Sequence, residues 1–132
     1  MRFSMTKEIE FYVCKHCGTL VGAIEKKVTP MCCGEVMTKL EANTNDGASE
    51  KHVPAVRVNG NTVHVAVGSV AHPMTSEHYI AWIYLQTAQG GQRKVLNPND
   101  KPEVDFALTD GDKAIAAFAY CNLHGLWKAE IK

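Results

Sequence analysis

The chain has 132 residues, 45% of them hydrophobic, enough for one ordinary domain or for a small domain beside a metal-stapled module. Fourteen basic and fourteen acidic side chains cancel, which argues against a polyanion binder and leaves any charged small molecule to be drawn in by a local patch. No apolar run approaches the ~20 residues of a membrane span, and residues 1–8 lack an apolar signal core; the expectation is a cytoplasmic protein, in a reducing compartment where clustered cysteines bind metals more often than they form disulfides.

Residues 9–40 are a short, cysteine-rich stretch that is not expected to hold a core unaided, so a metal has to supply much of their folding free energy. Cys14-Lys15-His16-Cys17 is a C-x2-C knuckle, and the adjacent pair Cys32-Cys33 follows it. Gly18 and Gly34, each just after a cysteine, permit the tight backbone such turns need. Neighbouring side chains normally diverge, so Cys32 and Cys33 reach one ion only on a bent backbone. Four thiolates suit zinc or iron, and these residues alone leave both open. His16, between the knuckle cysteines, reads as a solvent-facing loop residue. Residues 41–51 are polar and turn-rich, a linker running into a loop. The expected division is thus a module over 1–40, a linker and loop over 41–51, and a main domain over 52–132.

From residue 52 the pattern has period two. Val56, Val58, Val63, Val65 and Val67 flank Asn59-Gly60-Asn61, a hairpin signal because Asn-Gly tolerates positive φ. Residues 78–87 form a long central strand, with Ile80, Trp82 and Tyr84 expected on one face. Shorter strands follow at 93–96, 104–108, 113–120 and 126–131, separated by Gly-, Asn- and Asp-rich turns. About seven strands without a convincing amphipathic helix predict an all-β sandwich.

Within this β pattern, His52, His72, His78, Cys121 and His124 stand at strand edges or in loops, beside Pro, Gly or charged residues, where several segments can converge. His64 lies inside an alternating strand and reads as an ordinary surface histidine. Four neutral imidazoles and one thiolate suit a single iron: the imidazoles in a plane, the thiolate on the axis, one position open to a small oxygen species. Lys51, next to His52, can swing its ammonium over that open face and attract an anion. Glu50 offers a hard carboxylate suited to ferric iron. The plainer alternative for Glu50 and Lys51 is an exposed ion pair.

Glu50-Lys51-His52-Val53-Pro54, Gly68-Ser69-Val70-Ala71-His72-Pro73-Met74, His78-Tyr79-Ile80 and Tyr120-Cys121-Asn122-Leu123-His124-Gly125 follow one another as in the desulfoferrodoxins, the two-iron class of superoxide reductases, which the chain closely resembles. The resemblance implies an immunoglobulin-like sandwich behind a small N-terminal rubredoxin- or desulforedoxin-like module. It implies two irons per chain, one on Cys14, Cys17, Cys32 and Cys33, the other on His52, His72, His78 and His124 with Cys121 axial. Lys51 then assists catalysis and Glu50 is the sixth ligand of the ferric state. The implied reaction is one-electron reduction of superoxide to hydrogen peroxide without dioxygen release, with a rubredoxin-like electron donor and a homodimeric assembly.

Two positions depart from the family pattern. The interval between Cys17 and Cys32 is one residue shorter, which bears on the geometry or potential of the thiolate iron. Leu126 stands where a histidine is common, which bears on hydrogen bonding near the Cys121–His124 loop. The alternative from another class is a non-catalytic electron-transfer or structural protein, with zinc in the cysteine module and a closed second site. Nucleic-acid binding through a zinc ribbon is disfavoured by the balanced charge.

Overall fold

A computed structural model describes residues 8–131. The chain divides into two compact units, Met1–Glu41 and Ala42–Lys132. In the first, β1 (Glu10–Val13) pairs antiparallel with both β2 (Leu20–Ala23) and β5 (Thr38–Lys39), while β3 (Met31–Cys32) and β4 (Glu35–Val36) form a separate hairpin. Tyr12, Cys14 and Met37 are its buried cluster, backed by Val21, Ala23 and Cys32. Phe11 is buried as well, so among the described residues four side chains, one of them a cysteine, make up the unit's buried interior.

The second unit is a sandwich of seven strands. One sheet runs β10 (Glu103–Ala107), β7 (Thr62–Val67), β6 (Pro54–Asn59). The other runs β12 (Gly125–Glu130), β11 (Ala114–Cys121), β8 (Ile80–Thr87), β9 (Gly90–Val95). Every pairing is antiparallel. Val63, Val65 and Val67 from one sheet meet Ile83, Leu85, Ala117 and Ala119 from the other, with Phe106 beside them, in the sandwich the alternating pattern calls for and the immunoglobulin-like arrangement the resemblance implies. The β6–β7 hairpin closes through Gly60 and Asn61, with φ +62° at Gly60 alone. Glycine therefore takes the first central position, as in a type II′ turn, instead of Asn-Gly occupying the two central positions together.

Strict alternation puts Ile80 on one face with Trp82 and Tyr84; the structure does not. Trp82 pairs with Tyr120, but Ile80 pairs with Cys121, so Ala81 is an extra residue and the strand changes face there. Ile80 and Cys121 consequently join the core, while Trp82 stacks on Tyr120 on the opposite face at 5.5 Å. A second extra residue, Ile115, turns Ala114 into the core by the same device.

The segment expected to be a linker also differs. Its end is a single helical turn, α1 (Ser49–His52), closed by the Val53 N–H on the Ser49 carbonyl at 2.9 Å. Four residues are too few to show a helical period in sequence. Two interactions from the β7–β8 loop hold the turn: the Val70 N–H donates to the Glu50 carbonyl at 2.8 Å, and so does the Ser69 hydroxyl at 3.3 Å.

Candidate metal centres

The knuckle strand leaves β1 at Cys14. There the Cys17 N–H approaches the Cys14 sulfur at 3.5 Å, and the turn closes through Gly18 at φ +84°. Cys33 has φ +52° and Gly34 φ +78°, which is the bent backbone two adjacent cysteines need to face one point. All four sulfurs lie within 4.8 Å of one another. The Cys17–Cys32 and Cys32–Cys33 separations are 3.6 and 4.0 Å, against about 3.8 Å for tetrahedral sulfurs on ~2.3 Å metal bonds.

Electrostatics points the same way. The Thr19 hydroxyl, 3.1 Å from Cys17 Sγ, stabilises a thiolate there and brings its pKa down to about 6. Cys33 is pushed up to about 12, chiefly by its sulfur contacts with Cys17 and Cys14. One thiolate thus forms readily and opposes the next, and a cation is needed to hold four. His16 is exposed and sits against the Glu35 carboxylate, outside the thiolate group.

The second set gathers at one end of the sandwich. His52 ends α1, His72 and His78 lie in the β7–β8 crossover, Cys121 ends β11, and His124 precedes β12. Register explains the convergence: Pro54 pairs with Val67 and Ile80 with Cys121, so the segments entering and leaving these strands meet at the same edge. The imidazoles form a four-cornered ring in the order His52, His72, His78, His124, with neighbouring centroids 4.6, 4.6, 5.1 and 4.9 Å apart. The His52–His78 diagonal is longer, 6.4 Å, and neighbouring planes are steeply inclined, by 73° to 89°. His52, His72, His78 and Cys121 present ligand atoms within 4.8 Å of one another. His124 Nδ1 is 3.1 Å from His52 Nε2 and 3.8 Å from Cys121 Sγ.

Hydrogen bonding shows what this ring is for. His52 Nδ1 lies 2.8 Å from the Ala48 carbonyl and His72 Nδ1 lies 2.7 Å from that of Pro73. A carbonyl only accepts, so each Nδ1 carries the proton and each neutral ring turns an Nε2 lone pair inward. Those two lone pairs face each other at 3.2 Å, and His78 Nε2 is buried with no partner. Such an array is repulsive without a cation at its centre. Nitrogens on ~2.1 Å bonds at right angles are about 3.0 Å apart, close to the 3.1 and 3.2 Å seen here. Burial favours the neutral ring at two corners: it lowers His72 to about 4, and lowers His78 as well. Burial also raises the Cys121 thiol, so a cation is needed to hold its thiolate; the His124 N–H already points at that sulfur from 3.4 Å.

Glu50 and Lys51 are exposed on α1, and among the described residues neither side chain has a hydrogen-bond or ion-pair partner. The plain ion pair is therefore absent. Lys51 lies near enough to His78 for its charge to contribute to the lowering there. His64 stays apart, on β7 between Asp105 and Glu103 at 2.7 and 3.3 Å. Leu126 pairs with Tyr120, so its side chain lies on the face of the sheet away from Cys121; only its carbonyl takes part nearby, accepting from the Asn43 N–H at 3.0 Å.

Sequence reasoning missed the supports. The Asn122 amide accepts from the Tyr79 N–H at 2.8 Å and donates to the Glu77 carbonyl at 2.9 Å, tying the Cys121–His124 turn to the His78 loop. Its place inside the Cys121-Asn122-Leu123-His124 motif was the available signal. Trp127, the stacking partner of His52, has no signal in spacing at all.

Residues 44–130 match the family model for desulfoferrodoxin. The chain is 46% identical to the desulfoferrodoxin of Clostridium acetobutylicum over 96% of its own length and 100% of that protein. It is 45% identical to the desulfoferrodoxin of Nitratidesulfovibrio vulgaris, covering 96% and 99%. The crystal structure of the superoxide reductase from Treponema pallidum superposes with a TM-score of 0.79 at 44% identity, covering 94% of this chain and 100% of that one. Both cysteine and histidine sets lie inside a likeness that spans nearly the full length, and the chain belongs to the desulfoferrodoxin family.

Proposed function

We propose that this protein is a superoxide reductase, converting superoxide to hydrogen peroxide by one-electron reduction without releasing dioxygen. The observation that carries this reading is the ring of four inward-facing imidazoles beside a buried thiolate, in a chain akin to proteins named superoxide reductase, including that of Pyrococcus horikoshii. The donor sets fit two irons, one on Cys14, Cys17, Cys32 and Cys33, the other on His52, His72, His78, His124 and Cys121. An iron held by the second set would supply the one electron that superoxide takes up, and two protons would complete hydrogen peroxide.

The chain's own contribution is orientation and charge. The Ala48 and Pro73 carbonyls fix the His52 and His72 tautomers, so both rings arrive as ligands without a proton to lose. Lys51, adjacent to a ligand and unpaired among the described residues, draws in the anionic substrate and holds a donor N–H over it. Glu50, whose carboxylate is unpaired among the described residues, stands in the same turn and would offer a hard oxygen ligand to ferric iron. Re-reduction by a rubredoxin-like donor, a homodimeric assembly and a cytoplasmic location complete the proposal; no helix among the described residues is long and apolar enough to cross a membrane.

The test is superoxide consumption by the iron-loaded protein, pre-reduced and supplied with a rubredoxin as electron donor, with dioxygen monitored. Reduction yields peroxide alone; release of half a dioxygen per superoxide would make the protein a dismutase and end this reading. In the same assay Lys51→Ala should slow consumption on the order of tenfold at low ionic strength, and less as salt screens the attraction. A wild-type rate for that variant at low salt removes Lys51 from the mechanism.

A further inference from the structure

Trp127 is 2% exposed and touches two neighbouring corners of the imidazole ring in different ways. Its indole stacks on His52, with centroids 4.8 Å apart and planes inclined by 28°. Its Nε1–H donates to the His124 carbonyl at 3.0 Å. Gly47, at φ +155°, abuts both rings: a Cβ there would lie 3.1 Å from His52 Cε1 and 3.4 Å from Trp127 Cζ2. Nothing larger than glycine fits against the pair without displacing it.

We propose that Trp127 is a positioning residue of the histidine–cysteine centre, setting the plane of the His52 ring with its face and the His124 turn with its N–H. This rests on the reading of that centre as an iron site. The Nδ1 bond to Ala48 fixes one atom of the His52 ring, and the neighbouring His72 and His124 rings meet it edge-on. Among the described residues the indole is the one stacked on the ring's face, and it sets the plane. His124 lies in a turn whose two ends are β11 and β12, and Trp127 grips it from inside β12, three residues on. One rigid side chain therefore keeps His52 and His124 in register with each other, although they are far apart in sequence. The turn that the indole N–H grips also carries the His124 backbone N–H, which points at the Cys121 sulfur.

The experiment compares the full iron-loaded chain carrying Trp127→Phe, which keeps a ring against His52 and deletes the N–H, with Trp127→Leu, which deletes both. Trp82→Phe is the control: the chain has two tryptophans, and Trp82 stacks on Tyr120, on the face of the sheet away from Cys121. The readouts are release of the second iron to a chelator and the position of its ferric thiolate absorption band. Trp127→Leu should release iron on the order of 10–100-fold faster. Trp127→Phe should shift the band and the midpoint potential, with a smaller change in release. Trp82→Phe should do neither. If both Trp127 variants match wild type in release and band, or lose only thermal stability as the control does, the positioning role is wrong. Trp127→Phe alone decides the matter should Trp127→Leu fail to fold. Absence of the band in oxidised, iron-replete wild type would instead remove the iron centre itself, and this role with it.

Discussion

A Cβ on Gly68 would lie 2.7 Å from the Glu50 carbonyl oxygen and 2.9 Å from that of Val53. Backbone oxygens on a held turn do not yield as a flexible side chain does. Gly68→Ala should therefore push α1, and with it Glu50, Lys51 and His52, away from the β7–β8 loop. The expected cost is about 1–3 kcal/mol, with reduced iron at the histidine–cysteine centre and unchanged iron on the four cysteines. Metal analysis with the visible spectrum separates the two centres; full loading of both would show that α1 accommodates the methyl group. At this scale the ligands were legible and their supports were not. Cysteines beside glycine and histidines beside proline, glycine or charge announce a site because packing has no other use for them there. The Ala48 and Pro73 carbonyls that fix two tautomers carry no side-chain identity, and any residue at those positions offers the same oxygen.

Strands and their turns decide where those ligands point, and here the sequence misleads in one respect. Period-two reading assigns faces correctly along β7, where Val63, Val65 and Val67 all reach the core, and fails in β8 because Ala81 is an extra residue. A bulge leaves no mark on hydrophobic pattern when the residues on both faces are apolar. Its consequence is functional: Ile80 returns to the core opposite Cys121, placing the His78 loop beside the thiolate turn. Asn122 then joins the two loops with a pair of hydrogen bonds. Asn122→Ala removes both and leaves a backbone donor and acceptor to find water, at a cost of about 1–3 kcal/mol. Chemical denaturation of the iron-loaded protein should show that loss. A midpoint equal to wild type would mean the loops are held by the bulge and the metal ligands without help from the amide.

The two units differ in what holds each together. Residues 42–132 own a contiguous core drawn from five strands and fully buried at Val63, Val65, Val67, Ile80, Ile83, Leu85, Ala117, Ala119 and Cys121. Among the described residues of the first unit, Phe11, Tyr12, Cys14 and Met37 are buried, while Ile24, Val28, Met31 and Val36 are largely exposed. The shortness of the first segment and its four clustered cysteines made this asymmetry legible in the sequence, since so short a stretch has little interior to bury. Small thiolate sites supply about 10–16 kcal/mol of apparent folding free energy when they bind zinc, and little remains here without such a contribution. Loss of the metal also leaves four sulfurs in van der Waals contact, of which one is readily ionised and another strongly resists it. Hydrogen exchange on metal-free protein, kept reduced, should therefore show β1 to β5 exchanging freely while β7, β8 and β11 stay protected. Replacing Cys17 by serine in iron-replete protein should reproduce the first half of that pattern and leave the histidine–cysteine centre loaded. Protection of β1 that survives metal removal would mean that the Tyr12 and Met37 contacts suffice, and that the first metal serves only to carry electrons.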